Sequence, residues 1–515
     1  MPSTNTLTAM ETFSTVAAVD LGSNSFRLQL GRVDDNQIYP LDSLREPVRL
    51  AAGLTADKHV DNAAQARAIE CLKRFGERLR GLPAGAVRAV GTNTLRVAKN
   101  AREFVPQFEA ALGFPIEVVA GREEARLIYL GVAHSLPASP ETRLVVDIGG
   151  GSTEFIVGAG NQPHRLESLY MGCVSYSLKY FADGKLAKSS LKHAETAARI
   201  ELATIKKQFS RKHWRQAVGS SGTARAIADI IEASGWSTSG ITREGLERLR
   251  QALLKAGDSA KLSLPGLKDD RIAVLAGGFA IMSAIFAELD VERMALANGA
   301  MRQGILWDMI GRAHQRDMRE LTVRQFMKRY HVDAGQAHRV ERLALKLYEQ
   351  LAEGGKEERE YPLHMLSWAA RLQEIGLTVA HTGYHKHSSY IVANADMPGF
   401  SKMEQAQLSM LVLAHRGSLG KLHGLVRADY DWSLLVALRL AALLHRSRSE
   451  VRLQAIRTSR KKSTFTVEVD AKWLAANPLT VAELRDEIKD WKGLGVELSI
   501  PQLAEVESSE MLATD

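Results

Sequence analysis

The sequence predicts an α/β fold in two similar lobes, followed by a helical domain and a small α+β domain. Three observations carry that prediction. A short motif occurs twice, as Ala-Val-Asp-Leu-Gly-Ser-Asn-Ser (18–25) and Val-Val-Asp-Ile-Gly-Gly-Gly-Ser (145–152). Strand-like and helix-like runs alternate up to about residue 310, and from residue 321 the strand pattern stops. The 515 residues exceed what one core can serve and suit three or four domains.

The elements follow in order. Residues 1–15 read as a disordered tail. A hairpin spans 16–33, where Phe26, Leu28 and Leu30 alternate with Arg27 and Gln29, the period of a half-buried strand. Residues 63–79 have apolar side chains at helical spacing. Residues 87–92 read as a strand entering a turn, 116–120 as another strand and 122–135 as a helix, completing lobe I at 16–135. Lobe II, 136–310, opens with the second hairpin over 144–157. A helix at 191–209, a strand-to-glycine turn at 217–223 and a helix at 224–232 come next. Pro265-Gly266 marks a turn before the apolar run 272–287. That run falls short of the ~18–20 residues of a spanning helix and holds a Gly pair, so it predicts a buried helix. A helix at 301–314 closes this half and returns to lobe I. The helical domain, 315–446, carries series such as Val340, Leu343, Ala344, Leu347, Leu351 and Leu435, Leu438, Ala441, Ala442, Leu444. The α+β domain, 447–506, has expected strands at 451–456, 463–469 and 496–500 and a helix at 481–491. Residues 507–515 read as a second tail.

Composition bounds the function. Hydrophobic residues at 45% and charged residues at 24% are ordinary for a globular chain and exclude disorder on a large scale. A formal charge of +8 favours anionic partners, although a basic chain need not have one. Cys71 and Cys173 share no metal or redox spacing, which suits a reducing compartment. The first residues lack a basic segment followed by an apolar one, so a cytoplasmic protein is expected.

Each copy of the motif is an apolar run, an Asp, a small-residue turn and a second apolar run, which reads as strand–turn–strand. The Asp ends the first strand, so its carboxylate would point into the turn. The turn's backbone N–H groups would be free to face an anion. Two such hairpins, one per lobe, can grip a phosphate and its metal. In the second copy Asp147 and Glu154 flank the triple glycine 149–151. Glycines let a backbone approach a phosphate closely, and carboxylates are the hard ligands Mg²⁺ takes beside phosphate oxygens. One copy alone could be a tight hairpin with incidental acids; the repetition argues for chemistry. Neither a Walker A loop nor a spaced Rossmann fingerprint occurs. Glu123 and Glu124 share the first turn of one expected helix, where acids complement the helix dipole, and spacing favours neither.

The paired hairpins resemble those of the acetate kinase/actin/Hsp70 superfamily. Finer matches lie at Gly-Thr-Asn-Thr-Leu-Arg (91–96), Gly-Arg-Glu-Glu-Ala-Arg-Leu (121–127), Asp-Ile-Gly-Gly-Gly-Ser-Thr-Glu (147–154), Met-Gly-Cys-Val-Ser (171–175) and Ser-Gly-Thr-Ala (221–224). With these the chain resembles the exopolyphosphatase/guanosine-pentaphosphate phosphatase family to about residue 500. The resemblance implies an actin-like, ribonuclease H-like core and an HD-like helical domain. It implies Glu124 as catalytic base, Asp147 and Glu154 as metal carboxylates with Asp20 nearby, and phosphate contacts at Ser23, Asn24, Arg96, Gly150, Gly151 and Ser152. Gly222 and Thr223 fall in a turn that superfamily members use around a nucleotide. Mg²⁺ is the implied cofactor with K⁺ as an activating cation, and a homodimer is the implied assembly. The implied reaction is in-line attack of water on the terminal phosphoryl group of inorganic polyphosphate or guanosine pentaphosphate. Neither a nucleic-acid partner nor a membrane span is expected.

The helical domain departs from a working metal-dependent phosphohydrolase. Where such domains carry a His-Asp doublet, this chain reads Gln373-Glu374. His338, His381, His385, His387 and His415 remain, and a phosphate-facing or structural role suits them better than a metal site. Residues 381–387 form a basic, aromatic-bearing stretch in which His381, His385 and Lys386 could line a polyanion path. The run 446–462 holds Arg446, Arg448, Arg452, Arg457, Arg460, Lys461 and Lys462 against Glu450. Arg457, Arg460 and Lys461 are expected to bind long polyphosphate away from the active site. An exopolyphosphatase is the first reading, and a phosphatase acting chiefly on guanosine pentaphosphate the second. A non-catalytic sensor of polyphosphate or guanosine tetraphosphate would have lost Glu124 or Asp147, and both are present. A sugar or acetate kinase would need an acceptor.

Overall fold

The computed structural model describes residues 13–504 apart from 35–36, 138, 314–316, 354, 424–429 and 451–455. Met1–Met318 with Pro398–Lys402 makes one compact unit, and Arg319–Met397 with Met403–Asp515 a second. Most of both expected tails, Arg452, His314 and the first five residues of the expected strand 451–456 lie outside the described residues.

In the first unit the repeated motif becomes a repeated sheet. β1 (Thr15–Leu21), β2 (Phe26–Asp34), β3 (Gln37–Glu46), β4 (Val87–Gly91) and β5 (Ile116–Val118) are ordered β3-β2-β1-β4-β5. The first three are antiparallel, and β4 and β5 run parallel to β1. β6 (Arg143–Ile148), β7 (Thr153–Ala159), β8 (Gln162–Leu169), β9 (Gln216–Gly219), β10 (Ile241–Thr242) and β11 (Arg293–Leu296) are ordered β10-β11-β9-β6-β7-β8. Apart from the short edge strand β10, this is the same order again. Three antiparallel strands followed by parallel ones is the ribonuclease H-like arrangement, and its duplication gives the two-lobed, actin-like α/β core.

The central strands are apolar on both faces because helices cover both. Four residues of β1, Val16 to Val19, are buried, as are Leu144, Val145 and Val146 of β6. The helix Asp269–Glu288 is longer than expected and, by length and composition alone, could cross a membrane. It is a core helix: Phe279, Ile281, Ile285 and Phe286 are buried in the cluster of lobe II. Its Gly pair has a packing reason. A Cβ on Gly277 would lie 2.6 Å from the Cys173 carbonyl oxygen, and one on Gly278 would lie 2.4 Å from Thr223 Cγ2.

The helices Gly121–Ser135 and Met301–Ala313 also meet through glycine. A Cβ on Gly304 would stand 1.7 Å from the Leu127 carbonyl oxygen. A buried chain of charges ties them to the first sheet. Glu117 accepts from Arg88, which donates to Asp308 at 2.6 Å; Arg126 joins Asp308 at 2.6 Å to Glu123 at 2.8 Å. Removing one member of such a buried network costs about 3–5 kcal/mol, because its partner is left charged and dry.

Some elements escape sequence reading. β3 exposes both faces and includes Pro40, so it shows no alternation. The expected helix 191–209 is observed as Lys188–Ala203, with turns after it.

The second unit contains the helices Met318–Arg329, Ala334–Leu351, Lys356–Leu372, Tyr384–Asn394, Lys402–Ala414 and Ser433–Leu444. The expected stripe Val340, Leu343, Ala344, Leu347 and Leu351 is buried. β12 (Ile456–Lys461), β13 (Thr464–Val469) and β14 (Glu497–Ser499) form a sheet of that order, joined by the helix Pro478–Lys492. The described part of the first of these strands runs on to Lys461, past the expected end at 456. In it Ile456 and Thr458 face inward, while Arg457 and Lys461 are exposed.

Candidate active site

β1 and β6 end at the two motif turns, and both turns are built alike. The Ser23 and Asn24 carbonyls accept from the Ala51 and Arg49 N–H groups, each at 2.9 Å. The Gly149 and Gly150 carbonyls accept from Cys173 at 2.9 Å and Val174 at 3.0 Å, in the first turn of the helix Cys173–Tyr180. Among the described residues no peptide bond is cis, so each following N–H points away from its tethered carbonyl. The amides of Asn24, Ser25, Gly150 and Gly151 are thereby turned away from the elements that hold the carbonyls. The turns also abut. A Cβ on Gly150 would lie 3.0 Å from Ser23 Cβ, and one on Gly151 would lie 2.1 Å from Asn93 Nδ2.

Between the turns opens a cleft of about 850 Å³, including space open to solvent. Asp20, Ser23, Asn24, Glu124, Asp147, Gly150, Ser152, Gly222 and Thr223, all singled out from the sequence, line it together. The Thr223 hydroxyl donates to the Ile148 carbonyl at 3.0 Å, so this side chain braces the turn. Gly222 begins the helix Gly222–Ala233, whose N-cap Ser221 accepts from Ala224 N–H. That helix terminus therefore meets the cleft, and its field favours an anion.

Three expected residues are not in the lining. Arg96, on the short helix Asn93–Val97, stands behind Glu124 and donates to its Oε2 at 3.0 Å and to the Val119 carbonyl at 2.9 Å. Gly151 packs against Asn93. Glu154 faces Asp147 across the β6–β7 ladder and accepts from Ser168 Oγ at 2.8 Å.

The acids are dry. Burial pushes Glu124 up to about 7, with the Arg96 guanidinium holding it down and the charges of Asp20 and Asp147 adding to the rise. Burial likewise lifts Asp147 to about 6, against the hydrogen bond that Ser220 Oγ donates at 2.7 Å. Asp20 is raised by burial and opposed by Arg27 and Arg302. Glu154 is raised by burial and by repulsion from Glu124 and Asp147.

Sequence reading missed three arginines in the lining: Arg27, Arg271 and Arg302. Burial lowers the pKa of all three, the mark of cations stripped of water. Three cations in so dry a site, with Asp20 and Asp270 as their acid neighbours, favour the arrival of an anion. A signal existed for Arg27. It faces Asp20 across the β1–β2 ladder as Glu154 faces Asp147, at the same offset in the repeated motif. Arg271 and Arg302 carry no comparable signal.

The remaining expected residues lie in the second unit. His385 is held to about 4 by burial and by Lys421, Arg416, Lys386 and Arg439, so it is neutral near pH 7 and adds no positive charge to its stretch. His381 and Lys386 are exposed. Three members of the basic run are paired: Arg446 with Glu483, Arg448 with Glu374 and Asp333, and Arg460 with Asp431 at 2.7 Å. Among the described residues no three of His, Cys, Asp or Glu stand together to hold a metal.

A duplicated ribonuclease H-like core, with acids and free amides converging on a cation-lined cleft, defines a two-lobed enzyme that handles phosphate. The profile of the Ppx/GppA phosphatase family matches residues 30–313, and that of Ppx/GppA phosphatase domain III matches residues 318–488. The chain belongs to this family and is a hydrolase of phosphoanhydride bonds. Among solved structures, an exopolyphosphatase-like protein is 23% identical, over 57% of this chain and 97% of its own, with a TM-score of 0.52. An exopolyphosphatase from Cytophaga hutchinsonii ATCC 33406 is 21% identical over the same shares, with a TM-score of 0.51. Both share the fold. The Aquifex aeolicus PPX-GPPA enzyme is 25% identical, over 57% of this chain and 98% of its own, with a TM-score of 0.48.

Proposed function

We propose that this protein is an exopolyphosphatase, which releases orthophosphate from the end of inorganic polyphosphate and acts on guanosine pentaphosphate at the same site. One observation carries this reading: Glu124 lines the cleft shared by both motif turns and titrates near 7. A carboxylate with that pKa takes a proton from water efficiently near neutral pH, a contribution of roughly 10²–10⁴-fold. Arg96 fixes the Glu124 side chain. The turn amides and the arginines hold the equatorial phosphoryl oxygens, and the attacking water and the leaving chain stand in line.

The donor set fits Mg²⁺. Asp20, Asp147, Glu154 and Ser220 offer only hard oxygens, and Mg²⁺ takes one or two carboxylates, completing its shell with phosphate oxygens and water. Asp147, placed by Ser220 and facing the cleft, is the main ligand in this reading, with Asp20 across from it. Glu154, behind Asp147, orients it and the metal's waters. When bound, the ion neutralises phosphoryl charge.

The test is phosphate release from long polyphosphate, short polyphosphate and guanosine pentaphosphate, side by side, with and without Mg²⁺. Release from polyphosphate alone, with no acceptor, is expected, and it is lost in Glu124→Gln while polyphosphate binding persists. Turnover only in the presence of an acceptor would make the protein a kinase. Wild-type turnover by Glu124→Gln would remove Glu124 as the base.

A further inference from the structure

Glu123 and Glu124 are neighbours with different surroundings. Glu124 lines the cleft, whereas Glu123 is only 2% exposed and takes no part in the lining. Glu123 Oε2 accepts from Arg126 Nε, and Oε1 from Arg126 Nη2, both at 2.8 Å. Oε2 accepts a third bond, also 2.8 Å, from the backbone N–H of Gly399. Gly399 lies in Pro398–Lys402, a stretch that packs with the first unit although the chain on either side of it belongs to the second. It holds φ +90°, a conformation L side chains rarely adopt, and Phe400 and Ser401 beside it are each 1% exposed. The stretch is therefore shaped and seated to present that N–H.

The helix turn that receives it is also held by Arg96 at the Val119 carbonyl and by Arg122 at Glu167. Ala120, at its N-cap, makes no side-chain cap hydrogen bond. Arg96 holds the Glu124 carboxylate, and Glu123 holds the turn that carries it. We propose that Glu123 is a positioning residue for Glu124, and that the Gly399 N–H, delivered from beyond the catalytic lobes in sequence, is the lock that fixes it. This rests on the reading of Glu124 as the base. The contact itself does not.

The test uses the full chain with Phe400→Ala, which unseats the stretch without altering the cleft, its conservative counterpart Phe400→Leu, and the near-isosteric Glu123→Gln. Hydrogen exchange is followed in peptides covering 120–127 and 87–91, beside steady-state phosphate release. Faster exchange is expected in 120–127 alone. In both Phe400→Ala and Glu123→Gln, kcat should fall by about tenfold or more with KM within about twofold, since a displaced catalytic group loses turnover before binding. Phe400→Leu should recover most of the loss. Unchanged exchange and unchanged kcat would overturn the proposal, as would a rise in KM alone. If Phe400→Ala does not fold, Glu123→Gln decides by the same criteria. Should Glu124→Gln turn over like wild type, the base assignment fails, and exchange in 120–127 still decides whether Gly399 locks the turn.

Discussion

Arg96 offers a sharp perturbation, because it touches the candidate base without lining the cleft. Its Nη1 lies 3.0 Å from Glu124 Oε2, and the two side chains are 12% and 9% exposed, so solvent screens the pair little. Arg96 works against burial and holds Glu124 at about 7. A base near 7 is about nine-tenths ionised at pH 8. An opposite charge at this range lowers a carboxyl by about one to three pH units, so Arg96→Met should move the midpoint to about 8–10. The ionised fraction at pH 8 then drops to between about a half and about 1%, and kcat falls roughly two- to hundredfold. The sign is definite: the base acts deprotonated, so activity is lost on the acid side and returns as pH rises. The assay is phosphate release from polyphosphate between pH 6 and 10 at saturating substrate, for wild type, Arg96→Met and Arg96→Lys. Arg96→Lys, which keeps the charge without the fork, should lie between the other two. An acid limb that stays in place in Arg96→Met, with kcat lowered equally at every pH, would refute the reasoning and leave Arg96 a role in placing Glu124 but not in its charge.

Three further outcomes are expected. Glu124→Gln should raise the thermal midpoint at pH 8 by at least about 2 °C without metal or substrate; a pKa raised by folding favours stability below the unfolded value and erodes it as pH rises through about 7, so the gain should vanish near pH 4. Gly172→Ala should raise KM at least about tenfold in phosphate release, because its Cβ would stand 2.3 Å from the Gly150 carbonyl oxygen and push the second turn out of register. Neutralising Arg457, Arg460 and Lys461 together should weaken binding of long polyphosphate far more than turnover of short chains; equal effects would remove this segment from the substrate path. Arg460 should contribute least, being already paired with Asp431.

The sequence made the hairpins legible because a motif said twice is hard to produce by accident, and each copy changes from apolar run to glycine turn at its Asp. Asp20 and Asp147 came with the motif and Glu154 stood just past it, whereas Glu124 came only with the family resemblance, since spacing favours neither it nor Glu123. β3 was invisible because an edge strand exposed on both faces has no period to read. Arg271 and Arg302 were invisible for a different reason. Each is a single Arg in the first turn of a helix, Asp269–Glu288 between β10 and β11 and Met301–Ala313 after β11, and only the folded chain brings those helix starts to the cleft. The glycine pair at 277–278 looked like a weakness in an apolar run. It is the point where that helix presses against Cys173 and Thr223, which both brace the second motif turn.

Duplication need not leave a symmetric cleft, and here the ladder partners of the two motif Asp residues differ in charge. Asp20 faces Arg27 and Asp147 faces Glu154 across equivalent hairpins. Arg302 adds its charge beside Asp20, while Ser220 and Glu154 gather about Asp147. Lobe I thus surrounds its motif Asp with cations, and lobe II surrounds its own with oxygen donors. In the proposed reading, phosphate would meet Arg27 and Arg302 beside Asp20, and the acids about Asp147 would share its oxygens only through a cation. If the arrangement is functional, exchanging the pair should be worse than losing it. Arg27→Glu, which copies lobe II into lobe I, should depress kcat/KM further than Arg27→Gln, because it sets two acids against each other at that ladder with Arg302 alone to offset them. Equal loss in the two variants would mean that the position contributes bulk and not charge.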